Sequence, residues 1–191
     1  MRWNVKHFLV LICLFLSTAV QAATETYQLD PHHTYAEWHV DHFGFSHISG
    51  KWMAQGKIIL DSTKPQDSKV NVVIPIAGLT TGIKELDEHL MGPLFFDAKK
   101  YPLATFVSDK VQLTGKKSAK VTGMLTVHGV SKSVTLNTKL NKMGINPITN
   151  KQSIGFSGET TLKRSDFGIT TLLPGVGDDI TMTIEAEGSL A

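Results

Sequence analysis

From Ala36 onward the chain alternates apolar and polar residues, and this pattern constrains the fold more than any motif does. In "VTGMLTV", Val121, Gly123, Leu125 and Val127 share a face, with Thr122, Met124 and Thr126 opposite. In "VTLNTKL", Val134, Leu136, Thr138 and Leu140 oppose Thr135, Asn137 and Lys139. In "ITMTIEAE", Ile180, Met182, Ile184 and Ala186 oppose Thr181, Thr183, Glu185 and Glu187. Similar runs lie at 36–40, 52–60, 70–76, 104–113 and 154–162. A side-chain period of two belongs to strands, and one apolar face with one wet face belongs to antiparallel sheet. The pattern predicts an all-β chain of about eight antiparallel strands.

Turn chemistry agrees. "VHGVSKSV" reads as a tight hairpin with Gly129 at the awkward backbone angle, and "NPITNKQ" reads as another turn. The exception is "TTGIKELDEHL", where Ile83, Leu86 and Leu90 recur at helical spacing before Gly92-Pro93. That predicts one short helix near residues 82–91, set either over one end of the sheet as a lid or along its side. About eight strands close into a barrel that is filled by side chains or holds one small ligand. The inward rows mix large residues (Trp38, Trp52, Phe106, Phe156) with small ones (Ala36, Ala54, Gly56, Gly123, Gly158). A filled barrel mixes them too, so parity does not separate filled from hollow.

The first residues read differently. Arg2 and Lys6 precede the apolar run "FLVLICLFLSTAV", and "VQA" carries small or apolar residues before Ala23. This is the pattern of a secretory signal peptide, expected to be cleaved after Ala22 and to leave one domain, 23–191, in the periplasm. Taking 22 residues from 191 leaves 169, enough for an ordinary core. It also removes Cys13, the single cysteine, so no disulfide is expected despite export. Without Arg2 and Lys6, the 19 basic residues fall to 17, equal to the 17 acidic ones. That balance offers no basic field for nucleic acid and no polybasic tail for anionic lipid.

Four segments stand out in order: "YQLDPHHTYAEWHVDHFGFSHISGKW", "DEHLMGPLFFDAKKYPLATFVS", "VTGMLTVHGVSKSVTL", and "RSDFGI" followed by "VGDDITMTIEAE". Together they resemble the YceI-like family of bacterial periplasmic proteins, across nearly all of the chain after the leader. The resemblance implies a single elongated antiparallel barrel of lipocalin-like shape. It implies a hollow interior that binds a long isoprenoid or related lipid, such as a quinone, a polyprenyl phosphate, a fatty acid or its amide. It implies no catalytic activity and no cofactor beyond the bound lipid. A homodimer and transient contact with the inner membrane or a membrane redox protein are the partners it admits. The chain departs from the family pattern at Thr34, Ala36, Leu94 and Ser133, and His32, His39 and His47 are additions to it.

On that footing the lipid tail is expected against Trp38, Val40, Phe43, Trp52, Leu90, Phe95, Phe106, Leu125, Phe156 and Phe167. The head is expected at a rim of His42, His128, Arg164 and Asp166. His42 and His128 match family positions. Arg164 falls on the apolar side when residues are counted by twos from Ile154, so it needs a partner at the barrel's end. Asp166, Asp97 or an anionic or carbonyl-bearing ligand head are the candidates. Phe43, Phe45, Phe95 and Phe96 fall in connections, where aromatics cap a core, gate a mouth or touch a bilayer.

"HHTYAEWHVDHFGFSHISGKW" carries five of the eight histidines. If His33, Glu37 and His39 shared a strand face, they would form a partial zinc or copper site. This gives the alternative function, a periplasmic metal-binding or acid-stress protein. Acyl or hydrolytic chemistry is not favoured: no serine sits in a strand-to-helix elbow, and nothing brings His42 to Asp41 or Asp166.

Overall fold

The computed structural model describes residues 24–191. The expected leader, its cleavage site and Cys13 lie outside the described residues. Ten strands run in chain order: β1 Thr24–Leu29, β2 Tyr35–His42, β3 Ser46–Met53, β4 Gln55–Asp61, β5 Lys69–Pro75, β6 Leu103–Leu113, β7 Ser118–Val127, β8 Val130–Ile145, β9 Gln152–Lys163 and β10 Asp179–Leu190. One helix, α1 Lys84–Met91, sits between β5 and β6. All pairings between named strands are antiparallel.

The ring closes through eight of them, in the order β1-β4-β5-β6-β7-β8-β9-β10 and back to β1. The two remaining strands continue their neighbours. β10 pairs with β1 near its C-terminus (Leu29 opposite Gly188) and with β2 further back (Tyr35 opposite Glu185). β1 and β2 are thus one long path broken at residues 30–34, and β3 and β4 are one path broken at Ala54. The expected eight strands are present as an up-and-down barrel whose first two strands are each broken in two.

The breaks line up as a waist across adjacent strands, and hydrogen bonds stitch it. Thr34 is almost wholly buried. Its Oγ1 donates to the Glu187 carbonyl at 3.1 Å and accepts from the Glu187 N–H at 3.2 Å. The Ala54 N–H donates to the Thr34 carbonyl, and the Ile76 N–H to that of Pro102. Below the waist the interior is filled, by Tyr27, Leu29, Ile58, Leu60 and Ile154 on one side and Phe106, Val111 and Val121 on the other. Above it, β3 pairs with the chain after β5 through one isolated backbone bridge, Lys51–Thr80. Residues 76–102, with α1, fill the space between β3 and β6 there.

The inward parity holds along β2, β9 and β10, but a bulge between Ser108 and Lys110 shifts β6 by one. Val111 therefore points inward, where strict alternation would place Lys110. The hairpin between β7 and β8 turns on His128 and Gly129, with φ of 52° and 74°. Both are left-handed, as a two-residue I′ turn requires. A Cβ on Gly129 would also lie 2.5 Å from the Tyr101 ring.

Candidate ligand chamber

The upper half of the barrel encloses a cavity of about 520 Å³. Strand residues supply about half of its wall, among them Trp38 and Val40 from β2, Ile48 and Trp52 from β3, Leu125 and Val127 from β7, Leu162 from β9, Ile180 and Met182 from β10. Ile83, Leu86 and Leu90 cover one side, so the amphipathic stripe of α1 faces the cavity. Phe95, Phe96, Phe167, Ile169, Leu172 and Val176 complete it from the connections.

Two tryptophans organise the wall. Their ring centroids are 6.4 Å apart. Trp52 stacks edge-on against Phe96 at 5.1 Å, and its Nε1 donates to the Ile76 carbonyl at 3.1 Å. Trp38 lies over its register partner Gly50, where a Cβ would come within 2.5 Å of the indole. The Trp38 Nε1 is the one buried side-chain polar atom without a hydrogen-bond partner among the described residues.

Arg164 begins a 3-10 turn, Arg164–Phe167, and its side chain is buried. Neither Asp166 nor Asp97 pairs with it. The guanidinium donates instead to four backbone carbonyls of the loop before β10: Nε to Gly177 at 2.8 Å, Nη1 to Ile169 at 3.0 Å and Thr171 at 2.8 Å, and Nη2 to Val176 at 2.8 Å. Burial lowers its pKa, and the Asp178 carboxylate acts in the opposite sense. A guanidinium stays charged regardless. Asp178 is held below the usual carboxylate range, first by the Ser165 N–H at 2.9 Å, then by the Ser165 hydroxyl and the charges of Lys163 and Arg164. Arg164 thus clamps the loop, and four of its five N–H groups are used in doing so.

Seven of the ten residues expected around a lipid tail line this cavity: Trp38, Val40, Trp52, Leu90, Phe95, Leu125 and Phe167. Three do not. Phe106 and Phe156 point inward as expected but pack below the waist, where the interior is full. Phe43 turns outward over Gly175. Of the expected rim, His42 and Arg164 reach the cavity. Asp166 is exposed, and His128 packs edge-on against Tyr101 at 4.7 Å with its Nδ1 3.1 Å from the Phe167 carbonyl. Sequence reasoning missed Ile169, Leu172 and Val176, because a loop has no periodicity to count.

The proposed metal trio is not brought together. His33 lies in the turn before β2 and pairs with Asp30 at 2.7 Å, while His39 sits 3.9 Å from Glu37. Among the described residues no three His, Cys, Asp or Glu side chains converge. His42 ends β2 and His47 lies in β3, opposite Asp41, so both belong to strands.

Comparison with known proteins follows the same outline. The YceI-like domain family matches residues 27–188, the barrel from its first strand to its last. This chain belongs to the YceI-like family. A UPF0312 protein of Pseudomonas putida (strain GB-1) is 41% identical over 157 residues, 81% of each chain. A second, from Pseudomonas savastanoi pv. phaseolicola, is 39% identical over the same share. The YceI protein of Campylobacter jejuni superposes with a TM-score of 0.69 at 33% identity, covering 79% of this chain and 90% of its own. BcnA of Burkholderia cenocepacia gives 0.75 at 24% identity, covering 83% and 98%. A polyisoprenoid-binding domain from Saccharophagus degradans gives 0.68 at 13%, covering 86% and 98%. The YceI-like barrel is thus common to chains that share few residues.

Proposed function

We propose that this protein is an exported carrier that holds the tail of one isoprenoid or related lipid in its upper chamber. The carrying observation is the chamber itself, about 520 Å³ and walled almost wholly by apolar side chains. That volume lies within the range of roughly 300–1,000 Å³ typical of small-molecule sites. A polyisoprenoid-binding domain of the same fold supports the isoprenoid class. With the base filled, a tail of several tens of carbons leaves its remainder at the mouth.

The head group favoured is neutral, such as a quinone or an amide. Arg164 commits four of its five N–H groups to the loop, and the remaining ionisable wall residues are His42, Glu85 and His89. A phosphate or carboxylate finds no dedicated partner in that set. Binding strength does not follow from area. Each methylene moved from water gains roughly 0.8 kcal/mol, but the tail's other home is a membrane, so the net gain is small.

Native mass spectrometry of the protein from periplasmic extract, without detergent and then after denaturation, tests this. The expected result is extra mass of several hundred daltons, released on denaturation, whose fragments lack phosphate. Extra mass of one metal ion would favour the metal-binding alternative. An empty protein that also fails to take up an added quinone would overturn the carrier function.

A further inference from the structure

We propose that the cavity's rim is a docking surface for a lipid bilayer. This rests on the carrier function above, and the test separates the two.

Five large apolar side chains stand exposed at the upper end: Phe43 49%, Phe45 92%, Ile83 56%, Leu94 63% and Leu172 53%. They come from three segments far apart in sequence, and contacts tie those segments together. The Phe43 ring covers Gly175, and the Phe43 N–H donates to the Gly175 carbonyl at 2.7 Å. Thr171 Oγ1 donates to the Leu94 carbonyl at 2.6 Å. Ile83 and Leu172 both line the cavity and are more than half exposed, so the cavity opens among these residues. Phe43 and Leu172 hold φ of 56° and 62°, a region that bulky side chains seldom occupy. The fold keeps two exposed apolar residues there in place of glycine or asparagine, as functional sites commonly do with strained backbone.

The cargo decides the occupant. An apolar molecule entering or leaving by this mouth crosses these five side chains first. Passing through water exposes its tail, whereas direct contact with a bilayer does not. A second copy seated rim to rim would close both mouths. At the nearest end of α1, Lys84 faces Glu88 at 3.8 Å, so docking there relies on apolar insertion rather than on anionic lipid.

The test is co-sedimentation of the mature protein with phosphatidylcholine vesicles, for wild type, the double variant F45S/L94S, and I148S. Phe45 and Leu94 are exposed at the rim and do not line the cavity. Ile148 is 92% exposed in the turn between β8 and β9, at the opposite end. The expected result is a tenfold or greater loss of vesicle binding for F45S/L94S and none for I148S, at low and high salt alike. Uptake of a short-tailed benzoquinone is read in parallel by quenching of Trp38 and Trp52, and should persist in F45S/L94S. Wild type that ignores vesicles, or equal loss from I148S, would overturn the docking surface. So would a dimer that F45S/L94S dissolves. Vesicle binding without quinone uptake would sink the carrier function and leave the docking surface standing.

Discussion

A buried guanidinium is tolerated only where its N–H groups are met, and Arg164 meets four of them with main-chain carbonyls. Parity along β9 was enough to place this charge on the inward side. Its partners could not be read the same way, because any residue supplies a carbonyl and no side chain marks it. Arg164→Met would leave four carbonyls without a donor. It should cost about 3–5 kcal/mol, as breaking other buried charge arrangements does, seen as a lower midpoint in urea unfolding. Arg164→Lys should recover little, since an ammonium lacks the planar fork. Equal stability in all three proteins would show that the loop before β10 does not depend on the clamp. Gly50 carries a parallel lesson. It occupies an inward position of β3 where a side chain would be expected, and the Trp38 indole fills that space. A glycine among serine and histidine hides the alternation, which is why the first half of that strand was not legible.

At the scale of elements, alternation located eight runs and helical spacing located α1, because burial on one face imposes its period directly. β1 escaped notice because it directly follows the leader and is only six residues long. The bulge in β6 was hidden too, since an inserted residue leaves no compositional mark. At the waist one side-chain hydroxyl, that of Thr34, both gives and accepts. Thr34→Val keeps the shape and removes both bonds, leaving the half-buried Glu187 N–H without its acceptor while the Glu187 carbonyl keeps the Asp30 N–H at 2.8 Å. The expected cost is about 1–3 kcal/mol in thermal or urea unfolding, and Thr34→Ser should restore most of it. A Val variant as stable as wild type would mean that the broken strands hold together by packing alone.

Across the whole molecule the two halves differ in construction. The base is a complete hydrogen-bonded ring around a filled interior. The upper half hangs the β2–β3 hairpin on β10 and leans it against the α1 segment across one isolated bridge. Amide exchange should therefore fall into two tiers. Residues 46–52 of β3 should exchange through local opening well before residues 154–158 of β9, which exchange only on global unfolding. A bound quinone should slow the first group more than the second. Uniform exchange would show one cooperative unit. None of this division was visible in the alternation, which treats every strand as whole.

The waist also separates what a mutation can reach. Substitutions in the upper wall alter the shape offered to a guest, while the ring beneath continues to hold the chain together. Such a barrel can acquire a new guest without first being rescued from instability. Proteins that share this fold at 13–24% identity have room to differ by this route, one end changing above a constant foundation.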